Sequence, residues 1–339
     1  VVVSIKGFLI SLIILALIGA AVVVAGSQWL LQQPLKGLQQ PLLLEVERGT
    51  HTRSILTKLN EQNLIADISL AYFASRLWRQ GERIQAGVYQ LQPGISLQQL
   101  WSKLKRGEQY QFQVTLVEGQ TFAQWLHRLQ QQPYLQVTTR GLSEAELLAA
   151  VTGTDTFRSM EGLLAPDTYS YQAYTDDILL LRQAYQEQQR LLDKYWRERD
   201  PELPYTSPYE MLIMASIIEK ETGHTGERPL VSSVFVNRLK LGMRLQSDPT
   251  TIYGIPDFDG NLTRAHLREQ TAYNTYRISG LPPTPIAMPG AASIRATAHP
   301  ATSDYLYFVA DGSGGHVFSK TLEEHNRAVN RYQRKQTNP

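Results

Sequence analysis

The sequence predicts an α+β protein: a single N-terminal transmembrane helix, a small α/β subdomain, and a larger mixed α+β domain. Three observations carry this. Residues 8–26, FLISLIILALIGAAVVVAG, contain no charge. Beyond them, three segments repeat a strand, a glycine and an amphipathic helix. From residue 142 onward, helical periods alternate with turn chemistry and a hairpin signal. The chain has 339 residues, 42% of them hydrophobic, enough for more than one buried core.

As a helix, the uncharged run would span roughly 28 Å, the thickness of a bilayer core. A secretory h-region is shorter, ~7–15 residues, which favours a retained anchor; Val23, Val24 and Ala25 before Gly26 nevertheless form a weak cleavage site. Lys6 and the chain amine precede the run and Trp29 follows it at an interfacial position, which orients the N-terminus inward. These features divide the start of the chain into a short cytoplasmic N-terminus (1–7), a transmembrane anchor (8–28) and a Gln/Pro-containing linker (29–41).

Extended alternating stretches at 42–46, 88–91 and 113–116 each precede a glycine: Gly49, Gly94 and Gly119. After each glycine comes a helical period ending on Leu59, Leu104 or Leu129. Ser96 and Thr121 occupy N-cap positions, and Thr50 or Thr52 serves the first copy. Unequal spacing of the copies argues against a solenoid. Strand, Gly-Thr, and a helix carrying Ile55, Leu56 and Leu59 together resemble a LysM module, which implies binding of N-acetylated glycans by a LysM-like region at 42–113.

Helices follow at 143–151 and 176–199, interrupted by LLAPD at 163–167. Ser207, Pro208 and Glu210 open another helix with a cap, a first-turn proline and a capping-box acid. Its residues 211–218 are apolar nearly all round, the pattern of a helix enclosed by protein, and Gly223 is the expected stop. Helical period returns at 228–241, with turn chemistry at 248–251 and 254–257. Residues 305–309 and 316–319 flank a Gly-rich hairpin turn, and Thr321 with Glu324 opens a last helix.

Glu219 and Glu221 lie at the end of the enclosed helix. Backbone carbonyls and low dielectric there predict a raised pKa for Glu219, fit for a general acid near neutral pH. Two positions apart, the pair cannot flank one bond from the same surface, so a two-carboxylate hydrolase needs Asp248, Glu227 or Asp257 as partner. The alternative uses one acid/base and a nucleophile supplied by the substrate. Asn237, Arg238, Gln246, Ser247, Thr250, Tyr253, Tyr273, Asn274, Thr275 and Tyr276 mix the aromatic, amide and hydroxyl groups that suit a sugar groove. The segment 280–290 holds four prolines, a stiff wall beside such a groove.

Other classes fit poorly. Net charge is +2, giving no nucleic-acid footprint, and the absence of cysteine excludes disulfides and thiolate sites. His224, His266, His299, His316 and His325 show no metal-binding spacing, so no metal and no cofactor is expected. His316, in its Gly-Gly-His turn, is the histidine most suited to substrate contact. Ser216 and Ser233 lack a nucleophile elbow.

The anchor, the LysM-like region, ASIIEKET (215–222), VNRL (236–239), MRLQSDPT (243–250), YNTY (273–276), GLPP (280–283) and YLYFVADG (305–312) together resemble the YceG family. The chain departs from it at Thr284, where the family has glycine. The resemblance implies a catalytic domain over 114–334, a tail at 335–339, and a lyase of the bacterial cytoplasmic (inner) membrane facing the periplasmic side. Such a lyase cuts nascent peptidoglycan strands internally between N-acetylmuramic acid and N-acetylglucosamine and leaves 1,6-anhydro ends. It places the catalytic acid, then base, on Glu219, with Glu221 as its support or as an alternative acid. It also implies association with peptidoglycan synthases (penicillin-binding proteins). A two-carboxylate muramidase and a non-catalytic wall-binding scaffold are the competing readings.

Overall fold

A computed structural model describes residues 5–332; residues 1–4 of the expected cytoplasmic segment and the expected tail at 335–339 lie outside the described residues. The chain divides into two compact units, one of residues 5–112 with Ser170–Thr175, the other of Gln113–Tyr169 with residues 176–332.

The first unit begins with α1 (Ile5–Gln32), long and apolar enough to cross a membrane. Its side chains at Phe8, Leu15, Leu17 and Val22 are exposed. The helix runs past the expected anchor boundary at residue 28, because Leu31 is drawn into the unit's core; Pro34 then disfavours helix at the residue before it. The expected linker at 29–41 is therefore tied to the unit at Leu31 and Leu35, while most of its other residues are exposed. Leu35 is buried, its N–H donates to Ile95 O at 2.8 Å, and the Lys36 N–H donates to Leu64 O at 2.9 Å.

Strand β1 (Leu42–Val46) leads to α2 (Thr52–Glu61), α3 (Ile68–Leu77) and β2 (Gly87–Leu91), which pairs antiparallel with β1 in the register Leu44↔Tyr89; α4 (Leu97–Arg106) follows. The core comprises Val46, Ile55, Leu56, Leu59, Tyr89, Leu91, Leu100 and Trp101. Ser96 caps α4 in a full capping box with Gln99. The first copy differs: His51 holds the cap position without a side-chain bond, and the Thr52 hydroxyl donates instead to Gly81 O at 2.8 Å. Helix α3 has no precedent in the sequence reading. Its buried face is built of Ala71, Ala74 and Ser75, while larger apolar residues point outward, so no apolar stripe marks the core side.

The second unit is mainly helical. Strand β3 (Phe112–Leu116) pairs with β4 (Asp167–Tyr171), which begins on the last residue of the expected interruption at 163–167. Between them lie α5 (Phe122–Gln130), capped by Thr121, and α6 (Glu144–Thr152), capped by Ser143. The long α7 (Asp177–Glu198) precedes the central α8 (Pro208–Glu221), and α9 (Arg228–Lys240) follows it. Residues 248–251, read as a turn, instead begin α10 (Asp248–Tyr253), with Pro249 in the first helical turn, where its missing N–H costs nothing. Helix α11 (Ala291–Ala298) starts where the proline-rich segment ends. The hairpin β5 (Tyr307–Ala310) and β6 (His316–Ser319) and the final α12 (Leu322–Tyr332) match their sequence signals.

Helix α8 packs against α7, α9, α10 and α11, and every residue from Met211 through Glu219 is buried. That enclosure explains why its sequence lacks a polar face.

Candidate active site

Helix α8 is held at its start by Ser207, whose hydroxyl accepts the Glu210 N–H at 3.2 Å. Thr222, in extended conformation, closes it, so the expected stop at Gly223 lies one residue too far. Glu219 is thereby fixed on the last turn with its side chain 4% exposed.

The expected surroundings of Glu219, bare carbonyls and apolar surface, are replaced by donors. Arg228 Nη2 donates to Oε1 at 3.0 Å, and the Gly290 N–H donates to Oε2 at 2.9 Å. The same Nη2 reaches Glu118 Oε1 at 3.3 Å. Arg228 is buried while Glu118 is half-exposed, so one enclosed cation serves an inner and an outer carboxylate. Arg228 Nε is buried with no partner among the described residues, leaving a donor free beside the pair.

The proline-rich segment is the wall that delivers Gly290. The Gly119 N–H donates to Met288 O, and the Met288 N–H to Gln120 O, both at 2.9 Å; the Ile286 N–H donates to Ser216 Oγ at 3.0 Å. Lys220 Nζ adds a bond to Gly119 O at 3.0 Å. A Cβ at Gly290 would collide with Glu118 Oε2 and stand 3.5 Å from Glu219 Oε2. Because the half-exposed Glu118 can swing away, Gly290→Ala is expected to cost less than about 1 kcal/mol of stability. Its expected catalytic effect is larger, a several-fold loss, and comparing unfolding midpoint with rate measures the two separately.

Glu221 points elsewhere, as the two-residue spacing requires. It lines a cleft of about 570 Å³ together with Arg238, Gln246, Asp248, Tyr276 and His316. Burial pushes its carboxyl up to about 7, and Asp248 adds to this; the Ser247 hydroxyl, bonded at 2.5 Å, and Arg238 oppose it. At this helix end the raised carboxyl is that of Glu221. His316 is oriented by Glu227, its Nδ1 lying 2.8 Å from Oε2 and its N–H donating to Oε1 at 3.0 Å. Although burial acts against it, those bonds hold Glu227 below the usual carboxylate range.

None of the three expected partner carboxylates shares Glu219's arginine. Glu227 is engaged by His316, Asp248 accepts the Tyr276 hydroxyl at 2.7 Å, and Asp257 is exposed. The carboxylate that does, Glu118, stands just before the third repeat glycine and carried no distinguishing signal beyond that position.

Several expected groove residues are framework. Asn237 Nδ2 donates to Ser303 O and Tyr305 O at 2.8 and 3.0 Å. Thr250 and Thr275 share a hydroxyl bond of 2.7 Å, the Ser247 N–H donates to Thr275 Oγ1 at 2.9 Å, and Asn274 Nδ2 donates to Glu269 O at 2.7 Å. Arg238 is also tied to backbone, Nε to Leu306 O and Nη1 to Leu245 O, both at 2.6 Å. Tyr273 and Thr284 hydroxyls lie 2.8 Å apart, so the threonine that departs from the family pattern has a partner of its own.

Tyr253 donates to Glu161 Oε2 at 3.2 Å, and the Phe122 N–H at the start of α5 donates to Oε1 at 3.0 Å. Burial nevertheless pushes Glu161 up to about 7. A carboxyl raised in the fold stabilises it fully below the unfolded value near 4.5, and that contribution is lost as pH rises through about 7. At pH 8, Glu161→Gln is therefore expected to gain on the parent chain by up to about 3 kcal/mol relative to the same comparison at pH 4.5. Unfolding midpoints of both chains across that range test this.

Fold and site together define an α+β protein with an enclosed carboxylate and a polar cleft, in a chain that also carries one apolar helix long enough to span a membrane. Residues 44–331 match the model of the YceG-like family, and the chain belongs to that family. It is similar to an endolytic murein transglycosylase of Bacillus subtilis (strain 168), 29% identical over 323 residues, which cover 89% of this chain and 88% of that protein. A protein of the same name from Streptococcus pneumoniae serotype 2 (strain D39 / NCTC 7466) is 26% identical over 96% of this chain, which spans 65% of that relative. A crystal structure of a yceG-like protein from Listeria monocytogenes aligns with TM-score 0.55 and 29% identity, covering 85% of this chain and 99% of that one.

Proposed function

We propose that this chain is a membrane-anchored endolytic lytic transglycosylase acting on nascent peptidoglycan strands, with Glu219 as general acid and then base. Membership of the YceG-like family and relatives named endolytic murein transglycosylases support the reaction class. The observation that carries the assignment is Glu219 itself, buried on the last turn of α8 with Arg228 shared between it and Glu118.

In the acid step, the proton of Glu219 passes to the glycosidic oxygen as the bond to muramyl C1 breaks. In the base step, the Glu219 carboxylate takes the proton of the muramyl 6-hydroxyl as that oxygen bonds to C1. A 1,6-anhydro ring forms, no water is consumed, and Glu219 ends protonated as it began. Arg228 fits this alternation: engaged with Glu118 it leaves Glu219 free to hold a proton, and engaged with Glu219 it stabilises the carboxylate.

Glu221 offers a second reading, because its carboxyl, at about 7 and beside Tyr276 and His316, is already a suitable acid. Glu219→Gln and Glu221→Gln, assayed on uncrosslinked strands with mass spectrometry of the products, separate the two. Reducing ends in place of anhydro ends would indicate a muramidase, and binding without cutting by the parent chain a scaffold. The order strand, helix, helix, strand in β1–α2–α3–β2 supports reading 42–113 as a LysM-like glycan-binding region, with 114–334 as the catalytic part. With α1 in the bacterial inner membrane and its N-terminus inside, both would stand on the periplasmic side, within reach of penicillin-binding proteins.

A further inference from the structure

Helix α3 turns its large apolar residues outward. Leu70 is 60% exposed, Phe73 53%, Leu77 44% and the adjoining Trp78 38%. The spacing of 70, 73 and 77 makes them one stripe, while the small residues Ala71, Ala74 and Ser75 form the adjoining, buried face. Single exposed apolar residues are ordinary, but three in one stripe of a short helix, with a fourth just past its end, mark an interaction surface.

What covers the stripe follows from where it stands. Helix α3 packs on α1, and its end is tied there by the Trp78 indole N–H, which donates to Ser27 Oγ at 3.0 Å. At the other end, Leu70 and Ala71 line one groove with Leu30 and Gln33. Thus α3 runs back along α1, and Leu77 and Trp78 stand level with Ser27, the residue directly after the uncharged run. Exposed Trp29 lies at the same level on α1. Two exposed cations, Arg76 and Arg79, occur at this end, Arg79 lying 3.9 Å from Glu82, whereas Asp67 caps the far end. Apolar side chains, tryptophans and arginines collected where a membrane helix leaves the hydrocarbon match the chemistry of a bilayer interface.

We propose that α3 is an interfacial helix: its Leu70/Phe73/Leu77/Trp78 stripe lies in the headgroup and upper acyl region of the bilayer that α1 crosses. The first unit is then held to the membrane at two places, and its position over the surface is fixed. This depends on α1 being an anchor and not on the reaction proposed above.

The chain has no cysteine, so single cysteines can be introduced for nitroxide labelling of the full chain. In vesicles of phosphatidylethanolamine and phosphatidylglycerol, Phe73→Cys and Leu77→Cys carry the labels, with Ser69→Cys as a reporter on α3 that leaves the stripe intact. Glu61→Cys on α2 is the aqueous control, and Leu15→Cys reports insertion of α1. The expected result is a ratio of oxygen to aqueous-nickel collisions several-fold higher at 73 and 77 than at 61, with 69 also above the control. Equal ratios at 73, 77 and 61 would overturn the proposal. Protection of 73 and 77 from both reagents would also overturn it, since a protein surface would then cover the stripe. A water-like ratio at 15 would remove the anchor itself, and the inference with it.

Discussion

Glu219→Gln is expected to lower strand cutting by about 10³-fold, within the ~10²–10⁴ that a positioned proton donor and acceptor supplies. Glutamine keeps the shape, and its single carbonyl oxygen can still accept from either Arg228 or the Gly290 N–H, so strand binding should change little. The loss then appears in kcat rather than KM. Initial rates on uncrosslinked strands measure it. A variant retaining a tenth or more of parental turnover would remove Glu219 from the acid/base role. If Glu221→Gln alone produced the large loss, the role would pass to the cleft carboxyl. Under the assignment to Glu219, Glu221→Gln should reduce turnover by about tenfold or less.

The second large effect concerns Arg228. Replacing it with methionine leaves the Glu219 carboxylate enclosed with one backbone donor and no cation, and removing one partner of a buried ion pair costs about 3–5 kcal/mol. Denaturant unfolding should show a loss of that size. The double variant Arg228→Met/Glu219→Gln should recover part of it, because the stranded charge is gone. A loss under about 1 kcal/mol for the single variant would mean that water reaches the pair and that the two carboxylates are not coupled through the guanidinium.

Much of the scaffold was legible because it rests on local rules. The Ser96, Thr121 and Ser207 caps, the apolar residues of α2 and α4, and the all-round apolarity of α8 each follow from periodicity and end chemistry within a few residues. Helix α3 escaped because its core face is small and its large residues face outward, an inversion that periodicity alone assigns to the wrong side. Helix α10 escaped because Asp-Pro-Thr-Thr serves equally as a turn and as a first helical turn.

The site divides the same way. Glu219 and Glu221 stood out as acids at the end of an apolar run, and spacing alone separated their directions. What each carboxyl meets was not legible, since Glu118, Arg228 and Gly290 come from three distant stretches and bind through single atoms. The polar cluster after the glutamates was visible, but sequence could not divide it between cleft-lining residues such as Gln246 and Tyr276 and loop-holding ones such as Asn237, Thr250 and Asn274.

The backbone clasp between Gly119, Gln120 and Met288 has a consequence for how the protein is made. Glu118 leaves the ribosome long before Gly290, and the arginine between the two carboxylates is 110 residues from the first of them. Contacts so distant in sequence form late, after the cost of closing long loops has been met. A growing chain lacking residues 286–290 has the helix bearing Glu219 but neither the donor that holds it nor the wall beside it. With Glu219 in the proposed role, the chain therefore stays inert through most of its synthesis and becomes competent only when nearly all of its second unit has emerged.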